Sequence, residues 1–265
     1  PFKDELSAEA VGRLGTALTT AWPDFDAVRF VDRATAGLEE LELKARAAQI
    51  AGVLTEELPS GIEMIERLVD RALRDPTFDG WMLWPFLDAV AEITHDAPDR
   101  GLALLRRLTP RWTAEGAVRG FIASFPDTAF GHFDEWVTDP AEHVRRLVSE
   151  GTRPRLPWSA RIPALTGDPS RSIALLNRLR DDPSEYVRRS VANHLNDIAK
   201  DHPDRALEVA REWRAHPGPH TDRLLRHGLR GLVKAGDPSA LELVGVHVGA
   251  SIELAGLSCD PVTVP

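Results

Sequence analysis

The sequence predicts an all-α chain folded as a helical-repeat solenoid, and three observations carry that prediction. Apolar residues recur at spacings of three and four along almost every segment, as in "PDRALEVAREWRA" at 203–215. Short breaks containing proline or glycine separate these segments. Finally, "DPAEHVRRLVSE" from Asp139 and "DPSEYVRRSVAN" from Asp182 match at seven of twelve positions and lie 43 residues apart. A period in the forties made only of helices is that of HEAT-like repeats, in which each helical unit buries its apolar side against its neighbours.

Taken in order, "FDAVRFVDRATAGLEELELKARAAQIAGVLTEEL" at 25–58 reads as helix. In "GWMLWPF", Trp81 and Trp84 read as helix-packing core rather than as a stacking platform. In the stretch 108–125, Thr113 is expected to cap a helix with Ala117, Val118, Phe121 and Ile122 on its buried face. Glu115 and Arg119 would then lie four apart on one side of it, the spacing of an ordinary helical ion pair. A helix is expected from Pro140 to about Glu150, with Gly151 just past its end and Val144, Leu147 and Val148 buried. Arg146 and Glu150 would share a neighbouring face, and Arg189 and Asn193 are their equivalents in the next copy. Asp-Pro recurs at Asp75, Asp139, Asp168, Asp182 and Asp237, and each pair reads as a capping aspartate followed by proline at the first helical position. A third, looser copy is expected at 222–233, "DRLLRHGLRGLV". From about residue 250, Ile252 and Leu254, then Val262 and Val264, alternate at period two, a strand-like pattern. The expected division is therefore a repeat domain over 1–245 and a tail over 246–265.

Composition narrows the function. With 43% apolar residues in 265, a large core is available and disorder is not expected. The single cysteine, Cys259, leaves no disulfide framework and no cysteine-rich zinc site. No run of eighteen apolar residues is present, and "PFKDELSAEAVGRLG" has acids and no apolar core, so the expected location is the cytoplasm. Glycine-rich phosphate loops, an HExxH and a nucleophile elbow are absent from the sequence. His216 and His220 in "HPGPH" are separated by prolines that forbid the helix needed to converge them on a metal, and neither metal nor cofactor is expected.

Charge singles out one region. The chain carries a formal −9, yet residues 141–194 hold 10 arginines against 6 acids. Local fields decide polyanion binding, so the middle of the chain is a candidate anion-binding surface. Arg153, Arg155 and Trp158 follow on the proline-stiffened loop "TRPRLPW". Glu150 sits in the last turn of its helix, the unfavourable end of the dipole for an acid, so its position needs a reason other than helix stability.

"HVRRLVSEGTRPRLPW" followed by "SEYVRRSVANHLNDIAKDHPD" resembles the DNA alkylation-repair glycosylases built on HEAT-like repeats, and within them the AlkC branch rather than the AlkD branch. The resemblance covers roughly residues 1–245 and is sharpest over 108–205. It implies excision of cationic N-alkylated purines, chiefly 3-methyladenine, from duplex DNA by hydrolysis of the N-glycosidic bond, without metal and without base flipping. It also implies a catalytic set of Glu115 in "WTAEGAVRGF", Glu150 in "LVSEG" and Trp158 in "RPRLPW". The strand-like tail resembles the start of the immunoglobulin-like domain into which many AlkC-type proteins continue. On this reading a concave basic groove holds the duplex through Arg119, Arg145, Arg146, Arg153, Arg155, Arg188, Arg189, Asn193 and His194. The chain is expected to act as a monomer. Two rival expectations stand beside it. A non-catalytic DNA-binding repeat protein would keep the groove and lack productive carboxylates. A protein-interaction solenoid would spend its arginines in repeat-to-repeat pairs and leave no contiguous positive surface.

Overall fold

The computed structural model describes residues 1–246, so the strand-like tail lies outside the described residues. Among the described residues sixteen α-helices follow one another. They are α1 (Ala8–Ala21), α2 (Ala27–Thr35), α3 (Leu43–Glu57), α4 (Ile62–Ala72), α5 (Leu83–Ile93), α6 (Pro98–Leu108), α7 (Val118–Ser124) and α8 (Pro126–Trp136). Then come α9 (Glu142–Gly151), α10 (Pro163–Gly167), α11 (Ser170–Leu179), α12 (Glu185–Asp201), α13 (Pro203–Ala215), α14 (Thr221–Gly228), α15 (Arg230–Lys234) and α16 (Pro238–Leu243). No strand occurs among the described residues, and none of the helices is long and apolar enough to cross a membrane.

The chain zigzags between two layers. One row stacks α3 on α5 and α9 on α12 on α14; the other stacks α1 on α4 on α6 on α8. This is the HEAT-like arrangement that the 43-residue offset predicts, with the two sequence copies on α9 and α12 and the third on α14 and α15. The expected stripes are the buried ones: Val144, Leu147 and Val148 on α9, and Val118, Phe121 and Ile122 on α7. Two corrections concern helix ends. Gly151 is the last residue of α9 rather than a cap beyond it, because α9 passes so close to α7 that a Cβ there would meet Val118 Cγ2 at 2.7 Å. Of the five Asp-Pro pairs within the described residues, only Asp237 caps a helix, accepting from the Ala240 amide at 2.8 Å. Asp75, Asp139, Asp168 and Asp182 instead accept from the amide two residues on, closing a turn before the helix or loop that follows.

Those turns free the aspartates to join the repeats. Arg106 binds the Asp139 carboxylate at 2.7 Å, and one repeat later Arg145 binds Asp182 at 2.6 Å. Arg145 also donates to the Asp139 carbonyl, so it ties the turn of its own repeat to that of the next. Both members of the second pair are largely out of solvent, with side-chain exposures of 13% and 3%. Arg145→Met is therefore expected to cost about 3 kcal/mol, because it leaves a buried carboxylate without its cation. A urea-unfolding midpoint equal to wild type would refute that stitching role.

Candidate active site

Arg146 organises the site. It lies on α9 beneath the turn that leads into α7, and its Nη1 donates to Glu115 Oε2 at 2.9 Å and to Thr113 Oγ1 at 2.6 Å. Its Nη2 stands 3.5 Å from Glu150 Oε1, the four-apart contact the sequence predicts. The guanidinium also lies over the Tyr186 ring of α12, 4.8 Å from the centroid. One cation thus sits between two carboxylates 35 residues apart in the chain. The expected Glu115–Arg119 pair does not form. Helix α7 starts at Val118, so Glu115 lies in the turn before it, and Thr113 receives Arg146 rather than capping a helix.

The two carboxylates differ. Glu150 is deeply buried and has three side-chain partners: Arg153 at 2.5 Å, Ser190 at 2.6 Å and Arg146. Burial alone would raise its pKa, but Arg146, Arg153 and Ser190 together outweigh that and hold it below the usual carboxylate range. Glu115 has Arg146 as its one side-chain partner among the described residues, and it borders an open recess with Trp112 and Trp158. Burial pushes its pKa up, Arg146 opposes this, and the nearby Glu150 charge adds to the rise. The pair is driven apart, one acid firmly ionised and the other closer to holding a proton.

Trp158 stands on the loop between α9 and α10. Among the described residues it is the only non-glycine with positive φ, +64°. That backbone costs an L-residue about 1–2 kcal/mol, and here it turns the indole out of the loop and onto Trp84. The rings stack with centroids 5.8 Å apart at 17°, and Trp158 remains 51% exposed. Trp81, Trp112 and Phe2 complete the cluster, with Trp81–Trp112 at 4.8 Å and Phe2–Trp81 at 5.6 Å. Trp81 and Trp84 do pack on the core, as expected, but they also form the platform that carries Trp158. Sequence reasoning missed this because the four tryptophans come from three separate segments.

The arginines expected to hold DNA divide into two groups. Arg119 is buried and donates to the carbonyls of Gly151, Arg153 and Ala160 at 2.8–3.1 Å, so it clamps the loop from within and shows only an edge to the neighbouring recess. Arg153 is buried between Glu150 and Asp197, with Asp197 at 2.8 Å, and Arg155 binds Asp201 at 2.9 Å. Arg145 and Arg146 are engaged as described. His194, expected to face the groove, is completely buried; its Nδ1 donates to the Ser149 carbonyl at 2.9 Å, and burial lowers its pKa to about 4, so the ring is neutral. For Arg145, Arg146, Arg153 and Arg155 the physical reason is shared: acids of α9, α12 and the turns lie within reach and neutralise them, whereas Arg119 and His194 donate to backbone carbonyls.

The exposed positive charge lies one repeat further on. Arg188 is half-buried, its guanidinium bonded to the Asp182 carbonyl, while Arg189 is 63% exposed and stands 3.7 Å from Glu185. Together with Arg223, His220 and His227 they border a recess between α12 and α14 in which Glu185 is the sole acid. Asn193 accepts from His227 at 2.8 Å and from Arg230 at 3.1 Å, so it positions cations there. Arg226 and Arg230 are exposed as well. The expected cations that stay exposed therefore gather around the recess between α12 and α14 rather than on 141–158.

Fold and site together define a HEAT-like-repeat protein with a carboxylate–guanidinium–carboxylate centre beside a partly open tryptophan. No family model matches the sequence. The chain is 39% identical over 264 residues to the uncharacterized protein YhaZ of Bacillus subtilis, covering 98% of this chain and 72% of that one. Among solved structures it is similar to Pseudomonas fluorescens alkylpurine DNA glycosylase AlkC bound to DNA containing an abasic site analog. That match has a TM-score of 0.81 and 36% identity, over 92% of this chain and 68% of the other. The chain belongs to the AlkC family.

Proposed function

We propose that this protein is a DNA glycosylase that hydrolyses the N-glycosidic bond of cationic N-alkylated purines, chiefly 3-methyladenine, in duplex DNA. The observation that carries the reading is Arg146 held between Glu115 and Glu150 beside the partly open Trp158. An N3-alkylated adenine already carries positive charge, so it leaves as a neutral base with the electron pair of the broken C1′–N9 bond. The barrier lies in the oxocarbenium character that develops on the deoxyribose, and a fixed carboxylate beside C1′ stabilises it. Glu115 is the carboxylate on the open side, so it faces the sugar, orients the attacking water and accepts its proton. Glu150 acts through Arg146: its buried charge keeps that guanidinium from fully neutralising Glu115. Trp158 offers an aromatic face to the sugar or the cationic base while the base stays in the helix, unflipped.

The duplex is held mainly by the surface of α12–α15, with the protein acting as a single chain in the cytoplasm and without a cofactor. The test is release of 3-methyladenine from methylated duplex, with binding to undamaged duplex followed against salt. Release and a steep salt dependence are expected. Replacing both Arg189 and Arg223 by alanine is expected to flatten the log–log salt slope by about 2, one unit per lost phosphate contact. Duplex binding with no release of base would leave the chain a non-catalytic DNA-binding repeat protein, and salt-insensitive binding would remove the phosphate surface.

A further inference from the structure

Five carboxylates packed around this centre have an arginine: Glu115 and Glu150 share Arg146, Asp182 has Arg145, Asp197 has Arg153 and Asp201 has Arg155. Asp88 has none. It lies one turn after Trp84 on α5, and no arginine, lysine or histidine among the described residues stands at salt-bridge distance from it. Burial pushes its pKa up to about 6, and the neighbouring Trp84 side chain opposes that rise only in part. It is nonetheless not sealed in. Asp88 borders the recess that holds Glu115 and Trp158, and it also borders the two larger recesses adjoining it, of about 530 and 480 Å³. Gly116 borders the same three and brings no side chain into them. The other charges on these walls belong to Lys44, Arg161 and Arg119, the last with its guanidinium bonded to backbone carbonyls, on one side and to Glu92, His95 and Asp96 on the other.

A carboxylate withdrawn from water without a cation is an unfavourable arrangement, and it persists where an incoming cation completes it. The ring of an N-alkylated purine is such a cation, and the recess Asp88 shares with Glu115 and Trp158 is where the proposed chemistry brings it. We propose that Asp88 is a lesion-recognition residue whose carboxylate receives the positive charge of the alkylated base, while Glu115 meets the charge that develops on the sugar. The inference rests on the glycosylase reading and adds to it a residue that discriminates cationic from neutral bases.

Asp88→Asn tests it, because the amide keeps the size and shape of the side chain and only the charge is lost. Two quantities are read under single-turnover conditions. One is the half-saturating enzyme concentration for 3-methyladenine release from methylated duplex. The other is the inhibition constant of an otherwise identical duplex carrying neutral 3-deaza-3-methyladenine. Asp88→Asn is expected to weaken the first roughly tenfold, the value of a hydrogen bond to a charged group, and to leave the second unchanged. Asp88→Glu, which restores the charge, is expected to recover most of the loss. Equal weakening of both constants would show that Asp88 acts only by orienting Trp84 and would overturn the inference, as would no change in either. Absence of release by the wild type would overturn the glycosylase reading and this inference with it, an outcome distinct from an active wild type that Asp88→Asn leaves unaltered.

Discussion

Glu115→Gln is expected to lower 3-methyladenine release by roughly 10²–10³-fold, the usual cost of removing one preorganised electrostatic contact to a transition state. Duplex binding and melting temperature are expected to stay near wild type. Glutamine keeps the shape and can still meet Arg146 through its amide oxygen, and Glu115 is the less buried of the two acids. The loss should fall on the chemical step, because the carboxylate is asked to stabilise charge that appears only as the glycosidic bond breaks.

The pH profile sharpens that expectation. Burial, with Glu150 adding to it, places Glu115 above the ordinary carboxylate range. The active form is the ionised one, so release falls as pH drops through that raised value, and the acid limb lies higher than a solvent-exposed glutamate would give. In Glu150→Gln the like charge is gone and Arg146 turns wholly to Glu115, and both changes favour ionisation. The slower variant's acid limb is therefore expected to move to lower pH, a shift that loss of fold would not produce. An unmoved limb would sink the proposed action of Glu150 through Arg146, and wild-type rates in Glu115→Gln would sink the role of Glu115.

The second large effect is on the loop that carries Trp158. Arg119→Met is expected to destabilise the protein by about 3 kcal/mol, since the carbonyls of Gly151, Arg153 and Ala160 lose their buried donor at once. Each kcal/mol corresponds to roughly 2–4 °C of melting temperature for a domain of this size. Burial, with Arg153 adding to it, pulls the Arg119 pKa down to about 10, which still leaves the guanidinium charged at neutral pH. The Trp158 environment should change with the fold otherwise intact, visible in near-ultraviolet circular dichroism as loss of the Trp84–Trp158 coupling. Base release should fall further than in Arg145→Met, which is destabilised to a similar degree but leaves this loop alone. If Arg119→Met melts with the wild type and keeps its rate, the clamp has no such role.

Several features were legible because they are local. Helices follow from spacings of three and four, the repeat from matched segments 43 residues apart, and the buried stripes of α7 and α9 from the same periodicity. The Arg146–Glu150 contact was legible too, because a helix places residues four apart side by side. The resemblance carried by "LVSEG" and "RPRLPW" pointed to the AlkC family, to which the chain belongs.

What the sequence by itself determined, then, is the all-helical repeat architecture and the region in which the centre lies. The tertiary structure alone decided which charges cancel. Arg119, Arg153 and Arg155 read in the sequence as residues that hold DNA, yet their partners are backbone carbonyls 32–41 residues away and aspartates 44–46 residues away. The same holds for the join between Glu115 and Arg146, the stacking of Trp158 on Trp84, and, among the described residues, the lack of a salt-bridge partner for Asp88. Periodicity specifies which face of a helix is apolar. It does not specify the polar neighbour that face meets in the next repeat, and in this protein the electrostatics of the site are set by those neighbours.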